Sequence, residues 1–346
     1  MFNRIAACLV VCFLIGVNFG FGQSRYRVNN NLGASADFTD LQSAVTAAVN
    51  GDILIIEHSD IPYNSGVVNI NKELTLYGTG YFLTENPGLQ ADNREANIGD
   101  IDITVSGVDI SGLTMGNVNI EASNVNFERN LVTSSLIIGA TNPSVNFIEI
   151  KRCYFLNNLL DTPPLVLVDI VNSTGLVFSN NVVWNQYPAL EPGNGNFRMA
   201  PSSSGLVSNN IFYGGALITL HNVTFKNNVL EDCQISALSS NVSASNNYAE
   251  FSTLGTYQGS DNIVETDSTF SVTTIASRDR RFELRTDIPN VLIGAGSDGS
   301  DVGIFGGGFS YVISGIPKIP TIYGKDQENV TEDGQLEIDL KTRTNN

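Results

Sequence analysis

The fold is decided by the segment Phe178-Ser-Asn-Asn181-Val, which recurs as Val207-Ser-Asn-Asn210-Ile and Phe225-Lys-Asn-Asn228-Val. Each copy places a polar pair between apolar residues. The pattern also recurs in looser form as Phe127-Glu-Arg-Asn130-Leu, Ile150-Lys-Arg-Cys153-Tyr and Ala244-Ser-Asn-Asn247-Tyr. Successive pairs are 23, 28, 29, 18 and 19 residues apart. Such an irregular period is typical of a solenoid whose coils differ in length only in their loops.

Asparagine suits the second position of the pair because it tolerates the left-handed backbone of a tight corner and its amide can bond nearby groups. Stacked coils place like residues about 4.8 Å apart. We therefore predict a ladder of amides along the solenoid axis, and Cys153 should form a weaker rung of it. The predicted members are Asn130, Asn181, Asn210, Asn228 and Asn247.

Residues 1–22 have the features of an export signal. Arg4 supplies the positive end, residues 5–17 are apolar, and Gly20-Phe-Gly22 is a cleavage site of small residues. The apolar run is too short to span a bilayer comfortably, and no second membrane segment follows it. We expect a product that is secreted, periplasmic or held at the cell surface, with no membrane insertion.

The remainder is expected to be a β-helix over residues 23–316, with a cap helix at about 38–50. A capping box of Thr39 and Gln42 should begin that helix, and a buried strand at 52–56 should follow it. We predict the last turn of the solenoid at 297–308. Residues 317–346 are interpreted as a linker plus a single C-terminal strand at 335–342, which could add to the sheet edge of a partner.

The chain carries a net charge of −17, with 18 basic and 35 acidic residues. This balance excludes nucleic-acid binding, and it disfavours acidic polysaccharides unless a metal ion or a local basic cluster intervenes.

No spacing of Cys and His indicates a metal site, and Cys153 and Cys233 are expected to be free thiols. No cofactor is predicted. Calcium is possible at Asp298 and Asp301, although such residues more often stabilise their own turn.

Three features together resemble secreted right-handed parallel β-helix proteins of the pectate-lyase-like superfamily. They are the helix and strand pattern at 38–56, the repeated Ser-Asn-Asn corners, and the closing Gly294-Ala-Gly-Ser-Asp-Gly-Ser-Asp-Val-Gly-Ile-Phe-Gly-Gly. The resemblance covers about residues 26–316. It implies an all-β, three-sheet right-handed parallel β-helix with a short N-terminal α-helical cap. It leaves the activity open, because that fold carries lyases, hydrolases, esterases and adhesins alike.

Alignment of the corners provides the weak candidates for catalysis, which are Lys151, Arg152, Arg129 and Glu149. A lysine surrounded by arginines has a depressed pKa and could act as a base beside a sugar carboxylate. A surface ladder of charges, with cross-coil ion pairs of at most about 1 kcal/mol each, explains the same pattern. We favour the surface ladder, because corners of a solenoid are normally polar and solvated.

A long insertion at 184–199 suggests a glycan-binding groove. Aromatic and cationic side chains on long loops often serve in recognition. The alternative is that the tryptophan packs beneath its own loop. The candidates for glycan binding are Trp184, Tyr187, Arg198 and Tyr213.

Together these features favour a secreted or surface-associated, non-catalytic β-helix module that binds a polysaccharide or a surface protein. The alternative is a polysaccharide lyase or glycoside hydrolase that acts on an extracellular polysaccharide. The sequence alone leaves the question of catalysis uncertain and leans against it, because the motifs of polygalacturonases, pectate lyases and pectin methylesterases do not occur here. Some β-helix lyases work with only a Lys and an Arg, which no spacing rule detects.

Overall fold

The computed structural model describes residues 22–64, 66–157, 166–185, 195–214, 217–250, 261–265, 270, 277–327 and 338–345. Within these ranges the chain is a right-handed parallel β-helix, which confirms the predicted fold class. Three parallel sheets wind around one apolar interior, and an N-terminal α-helix accompanies them.

We call the sheets A, B and C. Among the described residues sheet A has ten strands: β1 (Arg25–Val28), β2 (Ile53–Ile56), β4 (Thr75–Tyr77), β6 (Asp109–Ser111), β9 (Val125–Glu128), β12 (Ile148–Lys151), β15 (Leu176–Ser179), β18 (Gly205–Ser208), β21 (His221–Lys226) and β24 (Ser240–Ser245). Sheet B contains β3 (Val68–Ile70), β5 (Ile101–Ile103), β8 (Val118–Ile120), β11 (Leu136–Ile138), β14 (Val166–Ile170), β17 (Gly195–Met199), β20 (Leu217–Thr219) and β23 (Gln234–Ile235). Sheet C contains β7 (Thr114–Met115), β10 (Leu131–Val132), β13 (Tyr154–Asn157), β16 (Val182–Asn185), β19 (Ile211–Tyr213), β22 (Val229–Glu231), β25 (Tyr248–Glu250) and β26 (Ile263–Glu265).

The interior is built from like residues stacked in register. In sheet A, Phe127 lies beside Ile150, and Ile150 lies beside Phe178 on the next coil. All three side chains are fully buried, whereas their neighbours along each strand face outward. Because side chains alternate between the two faces of a strand, every coil places an apolar residue at this inward position.

The N-terminal cap is helix α1 (Leu41–Ala47), which lies between β1 and β2 in the chain. Its buried face consists of Leu41, Ala44 and Val45. The predicted capping box is wrong: the N-cap residue is Asp40, whose carboxylate accepts from the backbone N–H of Ser43 at 2.6 Å. An Asp accepts this bond as readily as a Thr.

At the corner between sheets A and C, the amide ladder and the left-handed backbone belong to different members of each polar pair. The prediction placed both on the second member. The second member is buried, and its amides form the ladder: Asn181 Nδ2 donates to Asn210 Oδ1 at 3.0 Å, and Asn210 Nδ2 donates to Asn228 Oδ1 at 2.9 Å. The first member carries the left-handed backbone, with φ of 55° at Asn180 and 57° at Asn209. The ladder continues through Asn247 to Asn262, which the sequence analysis missed.

Residues 277–317, which we call the return segment, lie along the outside of sheet C. The segment begins near the first coils, where Asn86 donates to Ser277 and Asp279. Its residues 295–316 then run back from the last coils, where Asn246 donates to Ala295, toward Arg129, which donates to Ile316. The return segment includes two short 3₁₀ turns, Arg280–Phe282 and Ile313–Gly315. The prediction of a last solenoid turn at 297–308 is therefore wrong, because these residues join none of the three sheets. They cover a second apolar cluster, in which Tyr154, Val182 and Ile211 face outward from sheet C.

The C-terminal part forms a hairpin rather than a single strand. β27 (Thr321–Gln327) pairs antiparallel with β28 (Ile338–Arg343), so the strand predicted to lack a partner has one within the chain. Residues 335–337 of the predicted strand lie outside the described residues.

In the part of the chain that the structure describes, no helix has the length and apolar run needed to cross a bilayer.

Candidate functional site

A cleft of about 430 Å³ lies between the first coils and the C-terminal hairpin. One wall follows directly after the strands β2 and β4 of sheet A, and the opposite wall is the hairpin. Its lining is partly aliphatic and partly polar: Ile55, Ile56, Glu57, His58, Gly78, Thr79, Gln90, Ala91, Asp92, Ile319, Pro320, Thr321, Ile322, Lys325 and Leu340. A concave, largely apolar site with a few polar groups is the usual form of a small-ligand site.

The hairpin wall is held in place by hydrogen bonds to the connection that follows β4. The backbone N–H of Ala91 donates to the carbonyl O of Ile322 at 2.8 Å. The guanidinium of Arg343 donates to the carbonyl O of Leu89 at 2.6 Å. Since one backbone hydrogen bond and one side-chain hydrogen bond tie the two sides together, the cleft is a feature of the fold itself.

His58 is the imidazole of this cleft, and its ring is oriented by the backbone. Its Nδ1 lies 2.8 Å from the carbonyl O of Arg94 and 3.9 Å from Oδ1 of Asp92. Because a carbonyl only accepts, Nδ1 carries the proton in this arrangement. In the neutral ring Nε2 is then a hydrogen-bond acceptor.

The two carboxylates that line the cleft are bound by arginines. Hydrogen bonds from Arg94 hold the pKa of Asp92 below its usual value, although partial burial opposes them. Burial raises the pKa of Glu57, but hydrogen bonds from Arg27 and Asn29 outweigh it and bring the pKa below the usual value. Both groups are thus ionised at neutral pH, and neither is prepared to act as a general acid.

The chemistry that this arrangement supports is binding. Lys325 and the acceptor nitrogen of His58 offer hydrogen-bonding groups beside aliphatic side chains. Among the described residues, no group of three or more His, Cys, Asp or Glu side chains is arranged to hold a metal ion. At the possible calcium pair, Asp298 accepts from Ser300 and Asp301 accepts from the N–H of Gly294, as turn-stabilising residues do.

The candidate catalytic residues lie on the outer face of sheet A and at its corner, far along the chain from the cleft. Lys151 is paired with Glu149 and lies over the ring of Phe309, 5.2 Å from the centroid. Arg152 donates to Glu128 Oε1 at 2.6 Å. The lysine therefore has a carboxylate partner and an aromatic cover in place of the ring of cations that the base hypothesis requires.

Arg129, the remaining candidate, is fully buried beneath the return segment. Its Nη1 donates to the carbonyl O of Ile316 at 2.6 Å, and its Nε lies 3.5 Å from Glu128 Oε1. Burial lowers the pKa of Arg129, while the charge of Glu128 opposes this shift. A fully covered guanidinium is inaccessible to a polysaccharide in this conformation.

The predicted aromatic groove is not open. Trp184 and Tyr213 do lie together, with ring centroids 5.4 Å apart, but Arg281 and Phe282 of the return segment cover them. Trp184 is 9% exposed. Arg198 lies on sheet B and is paired with Asp169, and Tyr187 lies outside the described residues.

Sequence reasoning missed the cleft residues His58, Gln90 and Asp92. Their only signal was local: His58 follows a buried strand immediately and is one of two histidines in the chain. The opposite wall is contributed by residues more than 200 positions later, and no spacing rule connects the two.

No protein-family model matches this chain, and no curated protein sequence matches it.

Proposed function

We propose that this protein is a secreted or surface-held β-helix module that binds a neutral glycan in the cleft between its first coils and its C-terminal hairpin. The cavity of about 430 Å³ is the observation that carries the proposal. Its aliphatic side chains suit the apolar face of a sugar ring, and His58 and Lys325 suit its hydroxyl groups. We also propose that the chain is a member of the pectate-lyase-like superfamily, which its sequence resembles.

The charge of the protein favours a neutral ligand. At a net charge of −17, a polyanionic glycan is repelled at long range. The two ionised carboxylates of the cleft, Glu57 and Asp92, act in the same direction at short range. Binding without turnover is favoured because neither carboxyl is available as a general acid.

The test uses the purified mature protein and a panel of neutral and acidic polysaccharides, with and without calcium, in affinity electrophoresis. Ile322→Trp should fill the cleft and abolish retardation by the bound glycan. The matched control is Ile288→Trp, because both isoleucines are 44% exposed and Ile288 lies outside the cleft lining. Equal retardation of both variants would reject the cleft as the site.

The same samples also test the alternative function, in which the protein is a polysaccharide lyase or a glycoside hydrolase. Ultraviolet absorbance of unsaturated ends reports a lyase, and release of reducing sugar reports either activity. Turnover that Lys151→Ala abolishes would replace the binding proposal with a lyase.

A further inference from the structure

A second corner column lies at the start of the strands of sheet A, one position before Val125 and before the residues aligned with it on successive coils. The strand register aligns its members coil by coil, since Ile148 pairs with Val125 and Leu176 pairs with Gly205. The backbone is left-handed at most of these positions, where glycine and asparagine are the favourable residues. The column reads Asn124, Phe147, Gly175, Ser204, Asn222 and Asn241.

Phe147 is the exception in this column. Its φ is 55°, a conformation that is strained for a bulky side chain. Its side chain does not compensate by packing inside, because the residue is 65% exposed. A phenylalanine at this position therefore has two energetic costs. Its backbone is strained, and its apolar ring is exposed to water. Strain of this kind at an exposed residue is a sign of function.

The surroundings of Phe147 leave its ring open. On the next coil the aligned residue is Gly175, where an added Cβ would lie 3.1 Å from the ring carbon Cδ1. The ring thus rests over a glycine backbone. Two aliphatic side chains, Val177 and Leu206, occupy aligned outward positions of β15 and β18 and are half-buried. We call Phe147, Val177 and Leu206, which are apolar residues on the outer side of neighbouring coils, the apolar patch.

Polar groups that suit hydroxyls flank this patch. Thr174, which is exposed, donates from Oγ1 to Oδ1 of Asn146. The Asn146 amide also donates to the carbonyl O of Ser144 at 2.9 Å. An aromatic face beside amide and hydroxyl groups fits a ligand with an apolar face and a hydroxylated edge.

We propose that Phe147 is a stacking platform for a sugar ring of a neutral polysaccharide that lies along the outer face of sheet A. The exposed carboxylates Glu149 and Asp109 on the same face disfavour an acidic chain. The platform precedes β12, whereas the cleft lies after β2 and β4, so the two surfaces are separate. This inference shares the ligand class of the proposed function but does not require the cleft.

The test is Phe147→Asn, assayed for thermal unfolding and for retardation by soluble β-glucan, xylan and galactomannan. Asparagine tolerates the left-handed backbone, so the Tm should rise by a few degrees while the affinity for the bound polysaccharide falls at least tenfold. Phe147→Trp should keep the affinity. The control Leu238→Asn, at a residue that is 75% exposed, should change neither quantity.

Unchanged affinity in Phe147→Asn would overturn the proposal, and so would a lowered Tm, which would identify Phe147 as a packing residue. If the unaltered protein bound none of the three polysaccharides, the proposal would also be overturned. Ile322→Trp separates this result from the cleft proposal: loss in Phe147→Asn with retention in Ile322→Trp supports the platform and rejects the cleft.

Discussion

The guanidinium of Arg129 donates a hydrogen bond of 2.6 Å to the carbonyl O of Ile316, 187 residues later in the chain. It is one of a series of contacts in which the first members of five of the six corner pairs bond the return segment. The segment therefore lies against the solenoid coil by coil. The series consists of Asn246 with Ala295, Asn227 with Ser297, Asn180 with Ile304 and Gly306, and Arg152 with Phe309.

Asn180→Ala should loosen the return segment. Asn180 Nδ2 donates to the carbonyl O atoms of Ile304 at 2.9 Å and Gly306 at 2.8 Å, and its φ of 55° disfavours alanine. We expect a loss of about 2–3 kcal/mol from the strain and the two bonds together. Hydrogen exchange should become faster in residues 294–317. Asn180→Gly, which keeps the left-handed backbone, should show the part due to the bonds alone.

Cys153→Asn should complete the ladder and stabilise the protein by about 1 kcal/mol. The thiol now offers weak bonds: it lies 3.5 Å from the backbone N of Asn130 and 3.4 Å from the carbonyl O of Phe127. An asparagine at this rung would form both bonds in the geometry of its neighbours. The midpoint of urea unfolding measures the effect, and the reverse change, Asn210→Cys, should lower that midpoint. A destabilised Cys153→Asn would show that the rung has no room for an amide.

Glu128→Gln should destabilise the protein by about 3 kcal/mol at neutral pH, because it leaves the buried Arg129 without a counter-ion. Burial raises the pKa of Glu128, but the charges of Lys318, Arg129 and Arg152 outweigh it and lower the pKa. The carboxylate therefore contributes stability above its unfolded pKa of about 4.3, and this contribution is lost as the pH falls through the folded pKa. The difference in Tm between the two proteins should shrink below about pH 4. A difference independent of pH would contradict the ionic role.

Phe282→Ala should expose Trp184, which is the one tryptophan of the sequence and reports directly on the return segment. Phe282 is fully buried against Trp184 and Tyr213, with ring centroids 6.2 and 5.7 Å away. Its removal should cost about 3 kcal/mol and shift the fluorescence emission to longer wavelength. Phe309→Ala, at a residue of the same segment that is 51% exposed, should leave the emission unchanged. An unshifted spectrum in Phe282→Ala would show that the cover does not depend on this ring.

The solenoid was predictable because its signals are local and repeated. The stacked residues Phe127, Ile150 and Phe178 occupy equivalent positions of successive coils, and so do the ladder residues Asn181 and Asn210. A residue type that recurs at the same corner satisfies the same backbone geometry and the same buried bonds each time. The local sequence also predicted the cap helix and β2. It did not decide the N-cap residue of the helix, because both Thr39 and Asp40 have side chains that can cap.

The tertiary structure alone decided which corners are covered and where a cavity remains. Residues 294–308 are rich in glycine, serine and aspartate and carry no hydrophobic period, so nothing in the sequence distinguishes a last coil from a segment that runs back outside. The covering of Trp184 by Phe282 and the pairing of Ala91 with Ile322 join residues about 100 and 231 positions apart. Such contacts depend on how completed surfaces fit together, and that fit exists only once the coils have stacked.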